Sequence, residues 1–127
     1  MSFETPESLQ YLETHEWARI DEGTARIGIT DFAQDELGDV VFVELPEIGS
    51  TFEQNEQFGV IESIKALSEL YVPVAGTVTA VNDTLESKPE LVNTDPYGDG
   101  WMIELDVGEA STDERVLSAE EYADRTY

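Results

Sequence analysis

The 127-residue chain contains no cysteine. That excludes disulfides, and with them thiolate metal sites and cysteine nucleophiles. His15 is its single histidine, so no second imidazole is available to complete a metal site, and no metal is expected. Cations are scarce: 6 lysines and arginines stand against 29 aspartates and glutamates, and the only lysines are Lys65 and Lys88. No apolar run approaches the length of a membrane span. The opening MSFETPESLQ lacks the basic segment and apolar stretch of a secretory signal. A cytoplasmic protein with no membrane partner is therefore expected, and a monomer. The length predicts one domain over 1–127, able to bury roughly two-thirds of the surface its unfolded form exposes.

The formal net charge of −23 opposes binding to nucleic-acid backbones or anionic membranes. Disorder conflicts with 40% hydrophobic residues and clear strand patterns. Two readings of the acidity remain. One is a decoy that imitates nucleic acid. The other is adaptation to high salt, where carboxylates stay hydrated and their repulsion is screened. The acids run from Glu4 to Asp124 without clustering, which favours high salt.

Along the chain, Gln10 to Ile20 leads into a strand, "DEG" (Asp21 to Gly23) signals a turn, and Thr24 to Ile29 alternates as a strand does. Thr30 to Gly38 predicts a helix of about two turns. Its N-cap is either Asp31, with Gln34 in capping-box spacing, or Thr30, and Gly38 closes it in the left-handed conformation. Val40 to Leu45, Gln57 to Ile64, Leu67 to Val72, Gly76 to Asn82 and Trp101 to Val107 are strand candidates, with Thr51 to Gln54 a short edge strand. "SKPELVN" suggests one helical turn with Pro89 first. Ser118 and Glu121 have capping-box spacing and predict a tail helix with an exposed acidic face. Many short strands with turns between them predict a mainly β fold, an antiparallel sandwich or barrel.

Lys65 lies inside the most apolar, β-prone run, FGVIESIKALSELYVPVAGTVTAV from Phe58 to Val81. A two-residue turn at Lys65 and Ala66 would set Ile64 against Leu67, Ser63 against Ser68 and Glu62 against Glu69. That turn lacks Asn-Gly or Gly-X chemistry, so something else must hold it. An exposed lysine can simply relieve the repulsion between two facing glutamates. It can also serve as an attachment point, since its deprotonated amine accepts activated acyl groups. A long arm on a compact domain lets a carrier visit several active sites.

The blocks HEWARI, IGITDFAQDELGDVVFVELPEIG, FGVIESIKALSELYVPVAGTV, LVNTDPYGDGWMIEL and EEYA, in this order, resemble the glycine cleavage system H-protein family from about Tyr11 to Ala123. The motif E-S-x-K-A-x-S-D/E around Lys65 is specific to it. The resemblance implies a flattened antiparallel barrel-sandwich hybrid of the lipoyl/biotinyl-carrier type, with short helices, a core over about 11–108 and a helical tail over 111–127. It implies a carrier with no catalytic residues, bearing lipoate in amide linkage on Lys65. Glu62, Ser63, Ala66, Ser68 and Glu69 make up the attachment motif. The implied partners are glycine decarboxylase (P protein), which loads the arm with an aminomethyl group, and the tetrahydrofolate-dependent aminomethyltransferase (T protein), which unloads it. Dihydrolipoamide dehydrogenase (L protein) reoxidises the arm, and a lipoate ligase or lipoyltransferase attaches it. Family members can fold the loaded arm into a cleft, and the matching positions are Thr14, Glu16 and Glu69. Many members have Ser and Asp where this chain has Thr14 and Glu69.

His15 beside Trp17 reads as a packing residue, Trp17, Tyr97 and Trp101 as core or rim aromatics, and Phe32 and Leu37 as core. Competing functions are a free-standing lipoyl domain of a 2-oxo acid dehydrogenase-type complex, whose tip is commonly D-K-A, and the acidic decoy. No acid–base or nucleophile constellation points to an enzyme.

Overall fold

The computed structural model describes residues 5–107 and 116–126. It is mainly β. In chain order the strands are β1 (Gln10–Tyr11), β2 (Glu16–Asp21), β3 (Thr24–Ile29), β4 (Val40–Glu44), β5 (Thr51–Phe52), β6 (Gln57–Ser63), β7 (Leu67–Tyr71), β8 (Gly76–Val81) and β9 (Ile103–Asp106). The helices are α1 (Asp31–Leu37), α2 (Thr84–Ser87), α3 (Leu91–Thr94) and α4 (Ala119–Thr126). One antiparallel sheet has the order β1-β2-β3-β9-β8-β5, the other β4-β6-β7. Among the described residues the two sheets do not close into a barrel, so the architecture lies on the sandwich side of the expected hybrid.

The apolar positions of the two sheets meet between them. Ile27, Val43, Ile61, Leu70, Val78 and Leu105 are all buried there. A second cluster of Tyr11, Trp17, Tyr97, Leu117 and Tyr122 seats α4 on one end of the larger sheet. Trp17 and Gly28 are cross-strand partners, and any Cβ at Gly28 would come within 2.8 Å of the indole. Glycine here lets the ring lie flat across the neighbouring strand. Glu22 (φ 48°) and Gly23 (φ 81°) form the expected turn between β2 and β3, whose paired positive φ values match strand twist.

Several helix ends differ in detail from expectation. Thr30, not Asp31, caps α1, its hydroxyl accepting from Ala33 N at 3.2 Å, while the Gln34 amide donates to Asp31. Gly38 ends α1 at φ 80°, ψ −157°, beyond the left-handed helical well and in a region open essentially to glycine alone. Phe32 and Leu37 are half-buried, because α1 lies over an edge of the core and has no fully buried residue. The "SKPELVN" turn starts later than expected: Pro89 precedes α3, whose cap is Glu90, and α2 was not anticipated. The tail capping box forms, with Ser118 N bonded to Glu121 at 3.0 Å and Glu121 N to Ser118 Oγ at 3.2 Å. Glu120, Glu121 and Asp124 make the exposed face of α4. The part of the expected tail at 111–115, residue 108 at the end of the expected core, and residue 127 lie outside the described residues. No helix among the described residues is long and apolar enough to cross a membrane.

Exposed carboxylates occur on both sheets and on the helices, for example Asp21, Glu36, Glu44, Glu69, Glu86 and Glu120. Ion pairs are formed by Arg26 with Glu104 at 2.8 Å and by Arg125 with Glu13 at 3.1 Å. With 29 acids and 6 bases, most carboxylates have no cation to pair with. A surface so charged is self-repelling when ions are dilute. The melting temperature should therefore fall as salt is lowered from molar to dilute concentrations. A flat profile in a calorimetric salt series would remove the high-salt reading of the composition.

Candidate functional site

The β6–β7 hairpin closes through four residues, from Ser63 at the end of β6 to Ala66, and not through a two-residue turn at Lys65 and Ala66. Ser63 N donates to Ala66 O at 2.8 Å, and the Ser63 hydroxyl accepts from Lys65 N (3.3 Å) and Ala66 N (3.1 Å). A side-chain oxygen thus does what Asn-Gly does in tight hairpins. The pairing shifts by two residues: Glu62 faces Leu67, Ile61 faces Ser68 and Val60 faces Glu69. A two-residue slip keeps every side chain on its expected face but separates Glu62 from Glu69, removing the expected like-charge pair. The loop is also tied to the chain after α1, since Ile64 N donates to Asp39 O at 3.1 Å. Lys65 is exposed, and its stem runs over Gly38, where a Cβ would lie 3.3 Å from Lys65 Cε.

A cleft of about 150 Å³ opens where α1 leans across the seam between the sheets. Ile29, Ala33, Leu37, Ile61 and Leu70 give it apolar walls, and Thr14, Glu16 and Ser68 supply polar atoms. Leu37 in its wall immediately precedes Gly38, against which Lys65 lies. Thr14 and Glu16 are thus brought together. Glu69 is not among the lining residues: it sits on the outer face of its sheet, where Tyr71 Oη donates to it at 3.1 Å. Its neighbour Ser68, read from the sequence only as part of the attachment motif, faces the cleft instead. Strand parity carries the signal for this, once the register is known. Of the remaining motif residues, Ser63 is buried, while Glu62 and Ala66 are exposed.

Glu16 is 1% exposed. Its carboxylate accepts from Thr14 Oγ1 at 2.5 Å and from Tyr71 N at 2.9 Å. Burial pushes its pKa up to about 7, partly offset by the hydrogen bonds from Thr14 and Tyr71. Although it stands at the start of a strand, this carboxylate is not solvated. His15 turns at φ 80° so that Glu16 can enter β2, and its backbone accepts from Thr30 N at 3.0 Å. The His15 ring lines the cleft on one side and a second cavity of about 390 Å³ on the other.

His15 Nδ1 lies 2.7 Å from Tyr122 Oη, which is also 2.7 Å from the Thr30 hydroxyl that caps α1. Burial lowers the His15 pKa against the opposing pull of Glu36. Tyr122 in α4 therefore ties together both sides of the cleft, the His15 turn and α1. Spacing within the sequence gives no sign of this contact between residues 107 positions apart. Among the described residues no group of three or more histidines or carboxylates could hold a metal ion.

An exposed amine on a braced hairpin, beside a narrow cleft with an acid in its wall, suits a group-carrying domain. The chain belongs to the glycine cleavage H-protein family, whose sequence profile matches residues 9–127. It is 58% identical over 125 residues to a probable glycine cleavage system H protein of Haloarcula marismortui, covering 98% of both chains. It is 53% identical over 123 residues to the glycine cleavage system H protein of Salinibacter ruber, covering 97% of this chain and 99% of that one. The crystal structure of a glycine cleavage system H protein from Mycobacterium marinum matches with a TM-score of 0.87 at 37% identity, over 94% of this chain and 97% of the other. Haloarcula and Salinibacter are halophiles, in keeping with the acidic surface.

The buried carboxylate makes stability depend on pH. With its folded pKa raised from 4.5 to about 7, Glu16 favours the folded state when protonated. That contribution is complete below about pH 4.5 and is lost as pH rises through 7. Glu16→Gln keeps an acceptor for Tyr71 and a donor for Thr14 but cannot ionise. Its stability should gain on that of wild type by up to about 3 kcal/mol between pH 4.5 and 8. Parallel denaturant titrations of the two proteins across this range would test this, and a constant difference would refute the raised pKa.

Proposed function

We propose that the chain, as one domain over 1–127, is the lipoyl-bearing shuttle of glycine cleavage. In this reading Lys65 carries lipoate in amide linkage, attached by a lipoate ligase or lipoyltransferase. Glycine decarboxylase loads the arm, the tetrahydrofolate-dependent aminomethyltransferase unloads it, and dihydrolipoamide dehydrogenase reoxidises it. The protein itself works as a cytoplasmic monomer and catalyses no step. The observation that carries the proposal is the exposed amine of Lys65, on a loop fixed by Ser63, next to a cleft of matching chemistry.

The residues fit the group. Apolar walls enclosing about 150 Å³ suit a ring about the size of benzene, and a lipoyl arm ends in a small sulfur ring on an aliphatic chain. When attached, it supplies a cyclic disulfide that is reduced as it takes up a one-carbon amine. The protein offers no thiol to compete for that disulfide, having no cysteine. Thr14 and Ser68 supply hydrogen-bonding oxygens within the cleft. Glu16 supplies charge on demand: near pH 7 it is poised between its two states, and an arriving ammonium favours the carboxylate. The Glu16 proton would then leave to solvent, and a charge-assisted pair would form in the cleft. Ile29, Leu37 and Ile61 would shield such a group from water.

With a lipoate ligase, lipoate and ATP, intact mass should show one added lipoyl group on wild type and none on Lys65→Arg. Label on Lys88 would overturn the assignment. Glu16→Gln should still accept the lipoyl group. Once loaded with labelled glycine by the decarboxylase and freed of enzyme, however, it should lose label as ammonia and formaldehyde about tenfold faster than wild type, equivalent to ~1.5 kcal/mol. Equal release rates would mean that Glu16 does not shelter the arm.

A further inference from the structure

The outer face of the three-stranded sheet is unusually apolar for so acidic a chain. Of six large apolar side chains left exposed among the described residues, four ring the Lys65 loop. They are Val41 (50% exposed), Phe42 (51%), Ile64 (72%) and Leu67 (62%). A bulge creates half of this patch: the β4–β6 register shifts between Val40 and Phe42, so the consecutive residues Val41 and Phe42 are both exposed. A regular strand would bury one of the two. Phe42, Glu62 and Leu67 form one row across the three strands, and Glu44, Val60 and Glu69 form the next outward-facing row. Side chains this exposed add little to the fold, and polar residues there would be nearly neutral for stability.

We propose that this patch is the docking surface for the enzyme that acylates Lys65, an inference that rests on Lys65 being the lipoyl acceptor. The occupant follows from reach. Before modification the reacting nitrogen is one lysine side chain away from the loop. An enzyme delivering an acyl carbon to it must cover Ile64 and Leu67 at close range. Enzymes that act later meet a long arm and can work from farther away. The matching enzyme face has apolar seats for Phe42 and Leu67 on either side of a cation for Glu62, with further lysine or arginine for Glu44 and Glu69. High salt screens the cations but leaves the apolar seats effective, so recognition survives where a purely ionic contact fails.

In the step served, a lipoate carboxylate oxygen attacks the α-phosphorus of ATP, giving lipoyl adenylate on the enzyme and releasing pyrophosphate. The uncharged Lys65 Nζ attacks its carbonyl carbon. The C–N bond forms, the acyl C–O bond breaks, AMP departs, and the amine proton passes to solvent. No atom is oxidised or reduced.

The test compares wild type, Phe42→Ser/Leu67→Ser, and a control, Ile20→Ser/Ile48→Ser, which removes exposed apolar side chains elsewhere. Lipoyl mass gain is followed against carrier concentration with purified lipoate ligase, ATP and lipoate. The patch variant should lose about tenfold in kcat/KM, mainly through KM, with unchanged melting temperature, while the control tracks wild type. Lys65→Arg, which keeps the patch, should inhibit wild-type lipoylation competitively, and adding the two serines to it should abolish that inhibition. Should the double variant melt early, Ile64→Ser in the loop carries the same comparison. No mass gain in wild type overturns the reading of Lys65 and this inference with it. Mass gain in wild type with an equal kcat/KM in the patch variants overturns the docking surface alone.

Discussion

The cleft depends on one buried carboxylate. The backbone of Glu16 belongs to β2 in the larger sheet, while its side chain accepts from the backbone of Tyr71 in β7 of the smaller one. It therefore fastens the sheets where they part around the cleft. Burial that makes Glu16 a good fastener also makes its charge costly, and the proton it retains up to about pH 7 is the compromise. A residue chosen for stability alone would be neutral. That tension is what the proposed docking of a cationic group would relieve.

The elements were legible where local chemistry decided them. Alternation located β3, glycine located the end of α1, and Ser118 with Glu121 marked the start of α4. Legibility failed where a side chain did work normally done by backbone or by turn residues. The Ser63 hydroxyl holds a loop that no Asn-Gly dipeptide announces, and the resulting register moved Glu69 away from Glu62. The residues of the proposed attachment motif are neighbours in sequence, because a loop and its lysine are contiguous in the chain. The cleft was only partly readable. Thr14 and Glu16 came from resemblance, while the wall made by α1 and the brace at Tyr122 depend on contacts between distant segments.

Two of the six cations lie against aromatic rings. Arg26 lies 4.8 Å from the centre of the Trp101 ring while pairing with Glu104, and Arg19 lies 5.6 Å from that of Trp17. Guanidinium over indole holds in salt better than an exposed ion pair, because stacking and dispersion do not depend on net charge. Lys65 has no such partner role, and its stem rests on Gly38, where there is no side chain to restrain it. Exposure of the amine and bracing of the loop beneath it thus depend on different residues.

The bulge in β4 has one more consequence. β4 is the outer strand of its sheet, and its sequence VVFVE is the kind that recruits other strands into edge-to-edge aggregates. A second chain adding there would need an unbroken row of amide and carbonyl groups. The extra residue at Val41 breaks that row. The protein can thus display greasy side chains to one chosen partner without offering its backbone as a seed for amyloid-like growth.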